Sequence, residues 1–173
     1  MRRVLRMRSD EATFARIVRT YQRPLYGYIR RMLLSHEDTE DVLQETFAKA
    51  YRYLWTVRNP DALKGWLYKI AVNEVRRFLK KHRRAVNEEL QDNALVAEEP
   101  LNLESVESVA VPRAIGRLSP LEREVFCLKY YDDMDYDEMS RITGAGKNTL
   151  MVTWHNARKK VKSAVLTASD DIM

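Results

Sequence analysis

The sequence predicts an all-α fold: two small helical domains joined by an acidic linker, the second carrying a helix-turn-helix. Three observations point there. Gly and Pro number only five each among 173 residues, while Leu, Ala, Glu, Lys and Arg are plentiful, so strong helix formers abound and turns are few. Apolar residues recur at three-and-four spacing on both sides of a stretch that lacks it. Capping signals precede the short helices of the second half.

The first block, residues 1–86, opens its periodicity near residue 10. Phe14, Ile17, Val18, Tyr21, Leu25, Tyr28, Ile29 and Met32 mark one apolar helix face, with Pro24 expected to kink or restart the helix near Arg23. Ser35 followed by Asp38 resembles a capping box. It opens a second helix with Val42, Leu43, Thr46, Phe47, Ala50 and Leu54 on its apolar side. A loop around Arg58-Asn59-Pro60-Asp61 leads to a long helix over about 62–82. Residues 87–112, broken by Pro100 and Pro112 and free of aromatics, read as a linker with short helical turns. In the last block, 113–173, Ser119-Pro120-Leu121-Glu122 combines an N-cap, Pro at the first helical position and Glu at N3. Asp135 to Glu138 repeats the cap for a short helix ending near Thr143. Gly144 and Gly146 supply a tight turn, and a further helix runs from about 147 to 165. A short helix, a Gly-containing turn and a longer basic-ended helix form the helix-turn-helix.

Charge sharpens the division. The net charge of +5 resolves into +11 over residues 1–86, −7 over 87–112 and +1 over 113–173. So large a positive excess on a small domain is the electrostatic footprint of a nucleic-acid binder, although a solvated basic surface has the same composition. The single cysteine, Cys127, excludes an internal disulfide and sits in an apolar stretch, as a buried thiol does. No apolar run approaches the ~18 residues of a membrane span, and no apolar segment follows the basic start, so a cytoplasmic protein is expected. His36, His82 and His155 lie far apart, with no metal-ligand cluster around them. No Gly-rich phosphate loop, Cys/His pair or acid–base constellation is present, so neither an enzyme nor a cofactor is expected.

Three surfaces stand out. Asp38, Asp41 and Glu45, spaced i, i+3, i+7 with Gln44 beside them, form an acidic stripe. Acids near a helix N-terminus also complement the helix dipole; that accounts for Asp38, less well for Asp41 and hardly for Glu45, leaving a basic protein partner as the other reading. On the long helix, Lys69, Asn73, Arg76, Arg77, Lys80 and Arg84 fall within roughly a 100° arc that contains no acid and includes Trp66. An aromatic beside a cationic row fits single-stranded DNA, where bases stack and phosphates pair with cations. The alternative is an amphipathic helix with a basic outer face and Trp66 covered by the loop. In the helix-turn-helix, Lys147, Asn148 and Thr149 stand where base edges are read, and Arg158, Lys159, Lys160 and Lys162 where phosphates are held. An ordinary helical hairpin would look similar.

The motifs then become recognisable. Glu40-Asp41-Val42-Leu43-Gln44-Glu45-Thr46-Phe47 resembles the D-x-x-D-L-V-Q-E-T-F segment of extracytoplasmic-function RNA polymerase sigma factors. So do Tyr21-x-x-Pro24-Leu25-Tyr26, the stretch Gly65-Trp66-Leu67-Tyr68-Lys69-Ile70-Ala71-Val72-Asn73, and Leu118 to Phe126. Tyr136-Asp137-Glu138-Met139 and His155-Asn156-Ala157-Arg158-Lys159-Lys160 complete the set. The resemblance covers nearly the whole chain.

It implies a transcription initiation factor. Asp38, Asp41, Gln44 and Glu45 would contact the clamp helices of the polymerase largest subunit. Asn73 and the loop before Trp66 would capture an unstacked base of the −10 element, with Lys69, Arg76, Arg77 and Lys80 holding the strand. The −35 element would meet Lys147, Asn148, Thr149, Met151, Val152, His155 and Arg158. An anti-sigma protein is the further expected partner. Two departures qualify the match. Arg77 stands where the family often has an acid, and Met151, Thr153 and Asn156 replace cations of the recognition helix. That shifts readout toward Thr and Asn edges and thymine methyls, unless Met151 and Val152 are packed. A helix-turn-helix regulator acting without polymerase is the alternative, and the acidic stripe discriminates, since such a regulator has no need of it.

Overall fold

The computed structural model describes the backbone of residues 11–89 and 106–170, and side-chain surroundings over 11–83 and 110–167. Seven α-helices and no strand occur among them: α1 (Glu11–Leu33), α2 (His36–Tyr53), α3 (Leu63–Glu89), α4 (Val106–Gly116), α5 (Pro120–Tyr130), α6 (Tyr136–Thr143) and α7 (Lys147–Asp170). The first three pack on one another, and α4, α5 and α6 pack around α7. The two halves also touch, α3 against α6 and α1 against α5, and their buried side chains form one contiguous core.

Local sequence sets most helix starts. Ser35 accepts from the Asp38 amide to open α2. Asn59 accepts from the Asp61 amide, capping a short 3-10 turn, Pro60–Ala62, that leads into α3. Ser119 with Glu122, and Asp135 with Glu138, form reciprocal capping boxes on α5 and α6, each satisfying two otherwise orphaned amides. Gly144 ends α6 at φ 77°, the left-handed conformation that glycine adopts without penalty. Gly146 has no such φ, so only the first glycine of the turn is required by its backbone.

Pro24, expected to kink or restart its helix, and Pro112, read as breaking the linker, both lie inside helices, while Pro100 lies outside the described residues. α1 runs through Pro24 and α4 through Pro112. Each lacks one backbone N–H, but the side chains around each are locked into the core: Ile17, Leu25, Tyr28 and Ile29 around Pro24, Ala110, Ala114 and Ile115 around Pro112. Tertiary packing of an apolar face outweighs one lost bond. The stretch 87–112 is accordingly helical at both ends, 87–89 continuing α3 and 106–112 opening α4; its middle, 90–105, lies outside the described residues. α7 likewise extends beyond its expected end near residue 165.

Arg123 is a structural centrepiece of the second half. Its guanidinium donates to the carbonyls of Ile115 at 3.1 Å, Gly116 at 2.6 Å and Leu118 at 3.3 Å, and to Met32 of α1 at 3.0 Å. These are carbonyls at or just beyond the ends of α4 and α1, where intrahelical partners run out. Cys127 is buried, as its neighbours predict, and burial pushes its thiol up to about 12.

Candidate nucleic-acid interface

The α3 face follows its helical arc. Leu67, Ala71 and Val75 are buried, while Lys69, Asn73, Arg76, Arg77 and Lys80 are exposed; the Arg84 side chain lies outside the described residues. Trp66 is half-buried against the core, and with Asn73 it lines a cleft of about 430 Å³. Ile70 and Glu74 of α3 line it too, and Lys49, Tyr53 and Thr56 join them from α2 and the turn after it. Trp66 and Asn73, two residues singled out on one helix, thus meet in one concavity. Spacing along α3 could not reveal the α2 wall.

The arc itself holds no acid, but one stands beside it on the same helix. Glu74 is buried at 6% exposure and holds Lys49 Nζ at 2.5 Å and Arg77 at 2.8 Å. Glu45 adds contacts at 3.8 Å to both cations. Arg76 turns instead to the second half. Its Nε and Nη2 donate to the two Glu124 carboxylate oxygens at 3.0 and 2.6 Å, and Nη1 to the Thr143 carbonyl at 3.0 Å. Among the described residues Lys69 and Lys80 pair with no acid, so they are the unencumbered cations of this face.

On α2, Val42, Leu43, Thr46 and Ala50 face the core. Asp41, Gln44 and Glu45 are exposed, with Glu37 and Glu40 on the same helix, and Asp38 is half-buried. The exposed acids give this helix an accessible negative surface beside the basic α3.

The helix-turn-helix is built as its caps predict. Ser140 donates to the Ala145 carbonyl at 2.8 Å, and Thr143 Oγ1 accepts from the Ala145 amide at 3.1 Å, so the turn's polar groups are satisfied locally. On α7, Leu150, Ala157 and Val161 are buried, and Trp154 packs on Phe126 with ring centroids 5.5 Å apart. Lys147, Asn148, Thr149, His155 and Arg158 are exposed. Met151 and Val152, at 50% and 61% exposure, face outward and are not packed. Two of the helix's cations are engaged within the chain, Lys147 with Asp137 and Lys160 with Glu122 at 2.7 Å. The Lys160 hydrogen bond holds the Glu122 carboxyl below its usual range.

Where the halves meet, Tyr68 donates to Asp132 at 2.7 Å, Lys64 approaches the Asp132 carbonyl at 3.4 Å, and Arg31 lies over the Tyr131 ring at 3.9 Å. Burial raises the carboxyls of Glu124 and Asp132, against the pull of Arg76 on the one and of Tyr68 and Arg31 on the other. Sequence reasoning missed this constellation, since each partner lies in a different half.

Comparison with known proteins agrees with this architecture. The family model of Sigma-70 region 2 matches residues 17–85, and that of Sigma-70, region 4 matches residues 108–161. The RNA polymerase sigma factor SigV of Bacillus subtilis is 26% identical over 144 residues, covering 82% of each chain. The ECF RNA polymerase sigma-E factor of Haemophilus influenzae is 28% identical over 174 residues, covering 90% of this chain and 89% of that protein. Among solved structures, CnrH in complex with the cytosolic domain of CnrY superposes with a TM-score of 0.67 at 26% identity, covering 92% of this chain and 90% of that one. The sigma factor RpoE bound to the anti-sigma factor NepR, from Bartonella quintana, gives 0.77 at 23% identity, covering 88% and 96%, and speaks for the fold alone.

Proposed function

We propose a division of labour for three surfaces of a chain that belongs to the extracytoplasmic-function family of RNA polymerase sigma factors. As a member it is a promoter-specific initiation factor that binds core RNA polymerase. The exposed acids of α2, Asp41, Gln44 and Glu45 with Asp38 at their edge, are the polymerase contact, docking on the clamp helices of the largest subunit. The α3 face captures the −10 strand: Trp66 and Asn73 receive an unstacked base in the cleft, and Lys69 and Lys80 hold phosphates, with Arg76 and Arg77 joining when their intramolecular partners yield. The outer face of α7 enters the major groove of the −35 element with Lys147, Asn148, Thr149, Met151, Val152, His155 and Arg158.

The observation that carries this reading is the cleft shared by Trp66 and Asn73. An aromatic wall, an amide able to hydrogen-bond a base edge and flanking lysines are the parts that single-strand capture needs. The exposure of Met151 and Val152 favours apolar contact with thymine methyls in the −35 element. An anti-sigma protein covering these surfaces is proposed as the cellular partner, since CnrH was solved bound to the cytosolic domain of CnrY.

The test separates binding from melting. Asp41→Lys with Glu45→Lys is expected to abolish co-purification with core polymerase. Asn73→Ala is expected to keep that binding and impair open-complex formation. Intact co-purification in the first, or equal promoter melting in the second, overturns the corresponding assignment.

A further inference from the structure

Among the described members of the α3 arc, Arg76 is the one whose guanidinium is committed across the junction of the two halves. All three of its nitrogens donate to the second half: two to Glu124, itself buried at 3% exposure in α5, and one to the Thr143 carbonyl at the end of α6. A second bond lies one face away, from Tyr68 of α3 to Asp132 beyond the end of α5. Arg31 flanks both Asp132 and the Tyr131 ring. On its own helix, Arg76 lies within the arc of Asn73, Arg77 and Lys80.

Geometry makes this arrangement incompatible with promoter reading. The −10 and −35 elements are centred about 25 base pairs apart, hence about 85 Å along a duplex rising about 3.4 Å per pair. A helix that binds the −10 strand cannot then touch the turn of the motif that sits in the −35 groove. Arg76 to Thr143 is a direct hydrogen bond, so it must break before both elements are held. Arg76 is then left with a full set of donors on the face that the strand follows.

We infer that Arg76–Glu124, reinforced by Tyr68–Asp132, is an interdomain latch that keeps the free chain closed and withholds Arg76 from nucleic acid. This rests on the reading of α3 as the −10 face. The carboxylate of Glu124 stands where a phosphate would, offering two oxygens to one guanidinium fork. Closure and strand binding compete for the same donors, so each weakens the other. A pair shielded on one side and half-open on the other suits this exchange. Glu124 is almost fully enclosed, while the Arg76 side chain keeps 41% of its surface in solvent, where an incoming strand can reach it.

The test uses the full chain, with small-angle scattering to read its radius of gyration and a labelled single-stranded oligothymidine 12-mer as the probe. Glu124→Gln combined with Tyr68→Phe is expected to expand the chain and tighten oligonucleotide binding about fivefold, as the competent population rises. The charge swap Arg76→Glu with Glu124→Arg is expected to restore the compact radius without that gain. Should Glu124→Gln unfold the second half by circular dichroism, Arg76→Gln with Tyr68→Phe takes its place for the radius, since it breaks the same two bonds from the α3 side. A folded combined variant that keeps the wild-type radius overturns the latch. Expansion without tighter binding overturns the withholding of Arg76. Failure of the −10 reading shows separately: Lys69→Ala with Lys80→Ala would then leave oligonucleotide binding by the opened variant unchanged.

Discussion

Lys49 donates to the buried carboxylate of Glu74 at 2.5 Å, tying α2 to α3 at the wall of the Trp66–Asn73 cleft. The other Glu74 oxygen holds Arg77 at 2.8 Å. One buried acid therefore positions two cations on the face that is proposed to meet the −10 strand.

Glu74→Ala leaves Lys49 and Arg77 without their shared acceptor and opens a gap between the helices. A loss of about 2 kcal/mol in folding stability is expected, as for hydrogen bonds to charged groups. Urea unfolding measures it, and Glu74→Gln, which keeps the acceptor oxygen, is expected to lose less.

Among the described residues Lys69 and Lys80 form no ion pair, so each is free to act on phosphate alone. Lys69→Ala and Lys80→Ala are each expected to weaken DNA binding by the holoenzyme about equally on all promoters. Each should lower the slope of log affinity against log salt by about 0.7 to 1. A loss confined to one promoter sequence would mean base readout instead.

Met151→Ala acts differently, because its side chain is 50% exposed on the outer face of α7 and carries no charge. It is expected to alter preference among −35 sequences, most at thymine positions, while leaving the salt slope unchanged. Competition among promoter variants at fixed salt reads this.

Arg123 serves four carbonyls at once. Arg123→Met keeps much of its apolar stem and orphans those acceptors, with an expected loss of about 3 kcal/mol. Thermal unfolding with a denaturant series checks the value. Arg123→Lys is expected to recover only part of it, since one ammonium cannot reproduce the planar fork.

Burial raises the Glu124 and Asp132 carboxyls above their ordinary values. Groups whose folded pKa is raised contribute stability that is present below the unfolded value and lost as pH rises through the folded one. Glu124→Gln is therefore expected to gain stability relative to wild type as pH rises from about 4 to 7. Glu122, held low first by Lys160, has the opposite sign: its contribution is present above its unfolded value and is lost as pH falls through the folded one. Glu122→Gln should thus lose ground to wild type over the same rise. Urea midpoints across that range test both signs.

The elements that were legible in the sequence are those whose causes are local. Ser119 finds Glu122, and Asp135 finds Glu138, within one helical turn, so the starts of α5 and α6 follow from short-range chemistry. The apolar faces of α1 and α2 follow from spacing alone, as does the exposed row from Lys69 to Lys80. Pro112 misled, and no restart occurs at Pro24, because the cost of a proline is local while the packing that overrides it is not. Glu74 and Glu124 were illegible for the same reason. Lys49, at 25 residues' separation from Glu74, and Arg76, at 48 from Glu124, lie on other elements, and a helical wheel sees only its own helix; the third cation, Arg77, stands three residues from Glu74 on α3 itself. Met151 and Val152 stood between two readings until the partners of α7 were placed, and the inward set, Leu150, Ala157 and Val161, left them outside.

Run-off transcription with core RNA polymerase on a library of genomic fragments tests the central claim most directly. Transcripts that depend on this chain are expected from a small set of fragments sharing a −35 and a −10 sequence, and are expected to vanish with Asp41→Lys plus Glu45→Lys. Absence of any chain-dependent transcript, or transcripts undiminished by that double substitution, would contradict it.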